Sequence, residues 1–154
     1  MNGKTRSESR SVMTEMVLPN DTNLIGNLLG GRLLHWIDIA GALAATRHAG
    51  RVVATVCLDA VDFRVPIHMG DLVELQSFVT WTGNTSIETE VHVYAAAAGQ
   101  EKRLVDTARL VFVAVDDHGG KYPVPPLVSE TPEEEADFAV GAERQRLRKR
   151  KYVK

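Results

Sequence analysis

Cysteine is almost absent from this chain. Cys57 is the one cysteine in 154 residues, so no intrachain disulfide can form, and a zinc site would have to come from other ligands. Its plain reading is a small buried hydrophobe in a strand. A lone thiol fits a reducing cytoplasm. Long apolar runs are missing too: no stretch approaches the roughly 20 residues of a membrane span, and the polar start MNGKTRSESRS has no apolar segment of signal-peptide type. Charge of one sign is not in excess. The formal net charge is −2, which gives no global reason to expect nucleic acid or an acidic membrane as partner. The five histidines are scattered and none has metal-ligand spacing, so no metal is expected. There is no P-loop, G-x-S-x-G elbow, dinucleotide fingerprint or solenoid repeat. What remains is an ordinary soluble composition, 44% hydrophobic and 25% charged, long enough for one domain with a real core. A cytoplasmic protein is expected.

The chain is organised around Asp21–Asp38, DTNLIGNLLGGRLLHWID. Asn20–Leu29 has the Asn, Asp and Gly spacing of a loop. Its apolar residues Leu24, Ile25, Leu28 and Leu29 suggest a loop packed down on the core. A helix is predicted over Gly30–His48. Leu33, Ile37, Ala40 and Ala44 form one helical row, and Leu34, Asp38, Gly41 and Ala45 form the next. Asp38 therefore sits on a buried or half-buried face, where a carboxylate needs solvation, pairing or protonation. His35, three residues earlier, is within helical reach. Gly41 and the alanines around it let the helix approach a sheet closely. Arg47 and His48 suit the negative end of the helix dipole, and Gly50 can end the helix.

Strands are predicted at Ser11–Val17, Arg51–Phe63, Leu72–Thr82, Thr85–Ala96 and Arg103–Val115. The clearest is the fourth, where Ile87, Thr89, Val91 and Val93 oppose Glu88, Glu90 and His92 with strict period two. Residues 1–10 are polar and are expected to be disordered. After Pro123, Pro125 and Pro126, a second helix starts with Thr131 as N-cap and Pro132 in the first position, and ends in a basic tail. A strand, a long helix and then antiparallel strands make an α+β domain over 11–127. A C-terminal helix and the basic tail occupy 128–154.

Three features could carry chemistry. Asp38 is a candidate general base or nucleophile; it could equally be a structural acid. Gly30 and Gly31 open a helix, where free N–H groups can hold an oxyanion; glycine near a helix start is also common for no such reason. Asn27 could orient water or substrate through its amide, or be a turn residue. Two turns separate Gly31 from Asp38 by about 10 Å along the helix axis. One reacting carbon could not easily meet both, whereas a site shared between two copies could. Thr85 and Ser86 follow a Gly-Asn turn, and such hydroxyls usually serve the turn itself.

The motifs, in order, are Leu18-Pro19, Asp21-Thr22-Asn23, Gly26-Asn27-Leu28-Leu29-Gly30-Gly31, Trp36-Ile37-Asp38 and Arg47-His48. Val53–Asp59, Phe63, Gly70-Asp71, Gly83-Asn84-Thr85-Ser86-Ile87-Glu88, Phe112–Asp116 and Pro123-Val124-Pro125 follow. With order and spacing kept over about residues 11–145, the sequence resembles the hotdog-fold acyl-CoA thioesterases, in particular the brain-type cytosolic enzyme and short bacterial members. The resemblance implies a long central helix wrapped by a curved antiparallel sheet. It implies hydrolysis of acyl-CoA to free acid and coenzyme A, with coenzyme A present only as part of substrate and product and no other cofactor. It places the catalytic asparagine on Asn27 and the catalytic aspartate on Asp38, an N–H that polarises the thioester at Gly31, and substrate contacts at Gly30, Thr85 and Ser86. It implies self-association as a dimer and further as a hexamer. The alternatives are a hotdog enoyl-CoA hydratase or dehydratase, and a non-enzymatic acyl-CoA sensor.

Overall fold

The computed structural model describes residues 1–59 and 61–152. Its elements are β1 (Lys4–Thr5), α1 (Arg6–Ser9), β2 (Ser11–Met16), a 3-10 turn (Pro19–Asp21), α2 (Gly30–Ala49), β3 (Val53–Leu58), β4 (Leu72–Thr82), β5 (Ser86–Ala96), β6 (Arg103–Ala114), β7 (Leu127–Val128) and α3 (Pro132–Tyr152). The five long strands form one antiparallel sheet in the order β2-β4-β5-β6-β3. This is the hotdog fold: α2 lies along one face of a curled sheet and α3 against the other.

The period-two pattern of β5 decides what each helix meets. Ile87, Thr89, Val91 and Val93 are fully buried beneath α2. From the helix side, Leu33, Ile37, Ala40 and Ala44 of the first row are buried, as are Gly41 and Ala45 of the second, while Leu34 and Asp38 are half-buried. The helix runs very close to the sheet at Gly41. A Cβ there would stand 2.9 Å from Thr89 Oγ1, 3.1 Å from Leu110 Cδ1 and 3.2 Å from Phe112 Cε2. Gly50, at φ 70°, ends α2 in the left-handed conformation that glycine adopts without strain.

On the opposite face, Glu88 is 1% exposed. Its carboxylate accepts from Arg144 Nη2 at 2.7 Å, Arg144 Nε at 3.0 Å, Gln145 Nε2 at 2.9 Å and Thr80 Oγ1 at 2.7 Å. The two-pronged guanidinium contact and two further donors satisfy a charge that would be costly to bury alone. Gly141 lets α3 come down here: a Cβ would sit 2.9 Å from Trp81 Cβ and 3.0 Å from Glu88 Oε1. Thr131 caps α3, its Oγ1 accepting the Glu134 N–H at 3.1 Å.

Four expectations change. Residues 1–10 do not stand as a disordered tail: Lys4–Thr5 pairs with β7, Ser9 is buried, and Arg6 pairs with Asp137 at 2.9 Å and lies over the Phe78 ring. A polar composition hid a segment that docks through Arg6 on α3 and through Ser9, whose Oγ accepts the Val79 N–H of β4 at 3.3 Å. The strand expected over Arg51–Phe63 is six residues long, Val53–Leu58. Its register slips at Val56, and beyond Asp59 the chain leaves the sheet, so that Phe63 lies against Gly30; Ala60 lies outside the described residues. The Asn20–Leu29 loop is not packed down throughout: Leu24 and Ile25 are exposed, and Leu28 alone packs on the core. His48 is no charged dipole partner. It is fully buried, with Nε2 2.7 Å from the Pro125 carbonyl, and burial pushes its pKa below the ordinary value. Lys154 of the basic tail lies outside the described residues.

Candidate active site

Asp38 lies in the third turn of α2, half-buried, and Oδ1 accepts a 2.8 Å hydrogen bond from Thr55 Oγ1. Thr55 comes from β3, just before a β-bulge. Thr55 pairs with Phe112 and Cys57 with Val111, leaving Val56 unpaired between them. Thr55, opposite the core residue Phe112, lies on the α2 face by regular alternation, and the bulge turns Cys57 onto the α3 side. The hydroxyl fixes one carboxylate oxygen and leaves Oδ2 without a partner among the described residues. His35 is exposed and makes no hydrogen bond or ion pair with Asp38. Thr55 was not foreseen from sequence. The signal was there only in the identity of a hydroxyl within a β-branched run, and its pairing with a carboxylate 17 residues away could not be read.

At the start of α2, Arg32 and Leu33 N–H both donate to the Leu29 carbonyl. The N–H groups of Gly30 and Gly31 have no acceptor among the described residues, as expected for a helix N-terminus. A Cβ on Gly31 would meet nothing within 4 Å, so that approach is open. Gly30, Asn23 and Asn27 rim a cleft of about 290 Å³ whose walls include Leu28, Leu33, Phe63, Val65 and Ile67.

The preceding loop is held by buried acids. Asp21 accepts the Leu18 N–H at 2.9 Å and pairs with Arg32 at 3.1 Å. Asn23 Oδ1 accepts two backbone N–H groups, from Ile25 at 3.0 Å and Asn27 at 3.1 Å. This leaves the exposed Asn23 amide nitrogen without an acceptor among the described residues. Asn27, expected as the catalytic amide, has its Oδ1 2.9 Å from His68 Nδ1. Within one chain the predicted residues gather in two groups, Asn27 with Gly30 and Gly31 at the helix start, and Asp38 by β3. Thr85 and Ser86 join neither: they lie at the β4–β5 turn, and Ser86 pairs with Val113, two strands away from β3. Among the described residues no cluster of His, Cys, Asp or Glu could hold a metal ion.

A long helix wrapped by a curled antiparallel sheet defines the hotdog class. The family model described as the thioesterase superfamily matches residues 25–101. The uncharacterized acyl-CoA thioester hydrolase YkhA of Bacillus subtilis is 43% identical over 128 residues, covering 82% of this chain and 74% of that protein. The human cytosolic acyl coenzyme A thioester hydrolase is 31% identical over 140 residues, covering 89% of this chain, which spans only 37% of the human protein. The crystal structure of an apo-hexameric acyl-CoA thioesterase superposes with a TM-score of 0.91 at 37% identity, covering 99% of both chains. The acyl-CoA hydrolase of Staphylococcus aureus, solved with butyryl coenzyme A, coenzyme A and coenzyme A disulfide, gives 0.86 at 33% identity over 96% of this chain and 91% of that one. The chain belongs to the thioesterase superfamily and, within it, to the acyl-CoA hydrolases.

The Staphylococcus aureus enzyme was also solved as three alanine variants, of an aspartate, an asparagine and a threonine. In that chain the asparagine stands 15 positions before the aspartate and the threonine 17 after it. In this chain Asn23, Asp38 and Thr55 have the same two spacings. Asn27 stands 11 before Asp38 and does not fit the pattern.

Proposed function

We propose that this protein hydrolyses acyl-CoA thioesters to the free acid and coenzyme A, at a site that two copies of the chain build together. Asp38 acts as general base on water or as nucleophile, with Thr55 holding its Oδ1. The Asn23 amide nitrogen and the Gly31 N–H of the partner copy donate to the thioester oxygen as it gains negative charge. The tetrahedral species then expels the coenzyme A thiolate. Asn23 replaces Asn27 in this role because it stands at the spacing from Asp38 that the Staphylococcus aureus asparagine has, and its Oδ1 is held by two backbone N–H groups, which leaves its nitrogen to donate. The observation that carries the reading is the Asp38–Thr55 hydrogen bond, together with the Asn23, Asp38, Thr55 spacing shared with the Staphylococcus aureus enzyme.

Two copies are needed because the donors and the acid lie two helical turns apart on one chain. The surface is consistent with association. β3 is an edge strand, with Val52 and Val56 exposed, and Leu24 and Ile25 project from the site loop. A dimer that assembles further into a hexamer is the expected state, in the cytoplasm. No helix among the described residues is long and apolar enough to cross a membrane.

The test is complementation. Asn23→Ala and Asp38→Ala are each expected to lose thiol release from acyl-CoA. Co-expressed, they form mixed dimers in which one of the two sites is intact, which restores about a quarter of wild-type turnover for random pairing across a two-fold axis. Two inactive variants that stay inactive when mixed would place the whole site within one chain. Binding of acyl-CoA without thiol release by the wild type would instead indicate a sensor, and water addition to enoyl-CoA a hydratase. The hydratase reading relied on a His35–Asp38 pair, and among the described residues Asp38 is hydrogen-bonded to Thr55 instead.

A further inference from the structure

The side chain of Asn23 is held at the end of a run of hydrogen bonds that starts at a buried acid. Asp71 is 5% exposed. Its Oδ2 accepts the His68 N–H at 2.9 Å, and its own N–H donates to the His68 carbonyl at 3.0 Å. These two bonds fix the His68 backbone, and the ring reaches across to Asn27, with Nδ1 2.9 Å from Oδ1. An amide oxygen only accepts, so Nδ1 carries the proton and donates. Asn27 and His68 are also bridged through their backbones. Asn27 in turn grips Asn23 twice: its N–H donates to Asn23 Oδ1 at 3.1 Å, and its carbonyl accepts the Asn23 N–H at 2.8 Å. Gly26, at φ 79°, makes the tight turn that lets these two asparagines face each other.

We propose that His68 and Asn27 are positioning residues for the Asn23 amide, and that the Asp71-His68-Asn27-Asn23 run sets the direction in which its nitrogen donates. This rests on the assignment of Asn23 given above. The geometry explains why a loop with exposed Leu24 and Ile25 can present a donor in a fixed direction. The Asn23 oxygen takes two backbone bonds, so the nitrogen has one orientation, and that orientation holds only while Asn27 stays in place. A donor displaced by about 1 Å can cost on the order of 100-fold in rate.

His68→Phe removes the donor and keeps a ring of similar size at an exposed position. The expected result is a kcat lowered by about 10- to 100-fold, with KM for acyl-CoA and the melting temperature nearly unchanged. His68→Asn, whose amide nitrogen falls near Nδ1, should recover most of the loss. In an Asn23→Ala background, His68→Phe should add little, because the group it positions is already gone. Unchanged kcat in His68→Phe, or a full additional loss in the Asn23→Ala background, overturns the positioning role and leaves the catalytic assignment of Asn23 standing. Full activity in Asn23→Ala overturns both.

Discussion

Thr55 and Cys57 are two residues apart on β3 and face opposite sides of the sheet. The bulge at Val56 is the cause. It shifts the register by one residue, so the hydroxyl meets Asp38 beneath α2 while the thiol lines a cleft with Glu88, Val111 and Arg144 beneath α3. Without the slip, Thr55 and Cys57 would share a face, and the strand would bring its thiol into the layer beneath α2.

The first prediction concerns that hydroxyl. Thr55→Val keeps the β-branched shape and deletes the donor to Asp38. A hydrogen bond to a charged group contributes about 1.5–3 kcal/mol, so kcat/KM for acyl-CoA should fall by roughly 10- to 150-fold if the bond is needed in the transition state. Thr55→Ser keeps the donor and should retain most activity. Steady-state thiol release on the three proteins checks this, and equal rates for Thr55→Val and wild type would remove Thr55 from the site.

The second prediction concerns α3. Glu88→Gln replaces the carboxylate that Arg144, Gln145 and Thr80 share, and leaves the Arg144 guanidinium partly buried with a neutral partner. Breaking one side of a buried pair costs about 3–5 kcal/mol. Arg144 keeps some solvent contact, with 26% of its side chain exposed, so the lower end of that range is expected. Urea unfolding at neutral pH measures it. Replacing both, as Glu88→Met with Arg144→Met, should recover much of the loss, because no charge is then left without a partner.

The sheet and helices were readable because their residues obey their periods: the alternation of β5 sorts Ile87, Thr89, Val91 and Val93 to one helix and Glu88 towards the other. Gly41 was readable as a point of close approach because glycine inside an amphipathic helix has few other reasons to be there. Asp38 stood out as an acid on an apolar face. What could not be read depends on pairing between distant residues. Glu88 looked like any solvent-facing strand acid, because only the docking of α3 buries it. Thr55 is one hydroxyl in a β-branched run, and its partner Asp38 lies 17 residues away on another element. Asn23 and Asn27 carry the same amide four residues apart, each with its oxygen held by a hydrogen bond, and nothing local to the sequence separates them. The polar N-terminus looked disordered because its partners, Asp137 and Phe78, lie more than 70 residues away.

The third prediction tests the contact at Gly41. An added Cβ gains about 1 kcal/mol of helix propensity, but it meets Thr89 Oγ1, Leu110 and Phe112 at 2.9–3.2 Å. Overpacking of this kind costs typically 1–3 kcal/mol, so Gly41→Ala should come out destabilised by about 1 kcal/mol, and Gly41→Val by clearly more. Thr89→Ala removes the nearest obstacle, a buried hydroxyl without a partner among the described residues. Gly41→Ala should therefore cost less in the Thr89→Ala background, and strict additivity in a double-mutant cycle would mean that the two positions do not collide.

The last prediction is a pH dependence from His48. Burial lowers its pKa from the ordinary 6.5; the Pro125 carbonyl opposes this, Lys4 adds to the lowering and Glu8 works against it. At neutral pH the ring is therefore uncharged in the fold, donating Nε2–H to Pro125, with Nδ1 buried and without a partner among the described residues. Below about pH 6.5 the unfolded chain takes up a proton at this residue that the folded chain refuses. Proton binding then favours unfolding, so this contribution to stability is whole above pH 6.5 and declines as the pH falls towards the lowered folded value. The slope approaches about 1.4 kcal/mol per pH unit within that window. His48→Gln keeps a donor for Pro125 and cannot titrate. It should start somewhat less stable at pH 7.5, through imperfect packing, and lose less stability than wild type between pH 7 and pH 5. Urea midpoints for both proteins across that range decide the matter: parallel curves would mean that His48 titrates alike in the folded and unfolded chains.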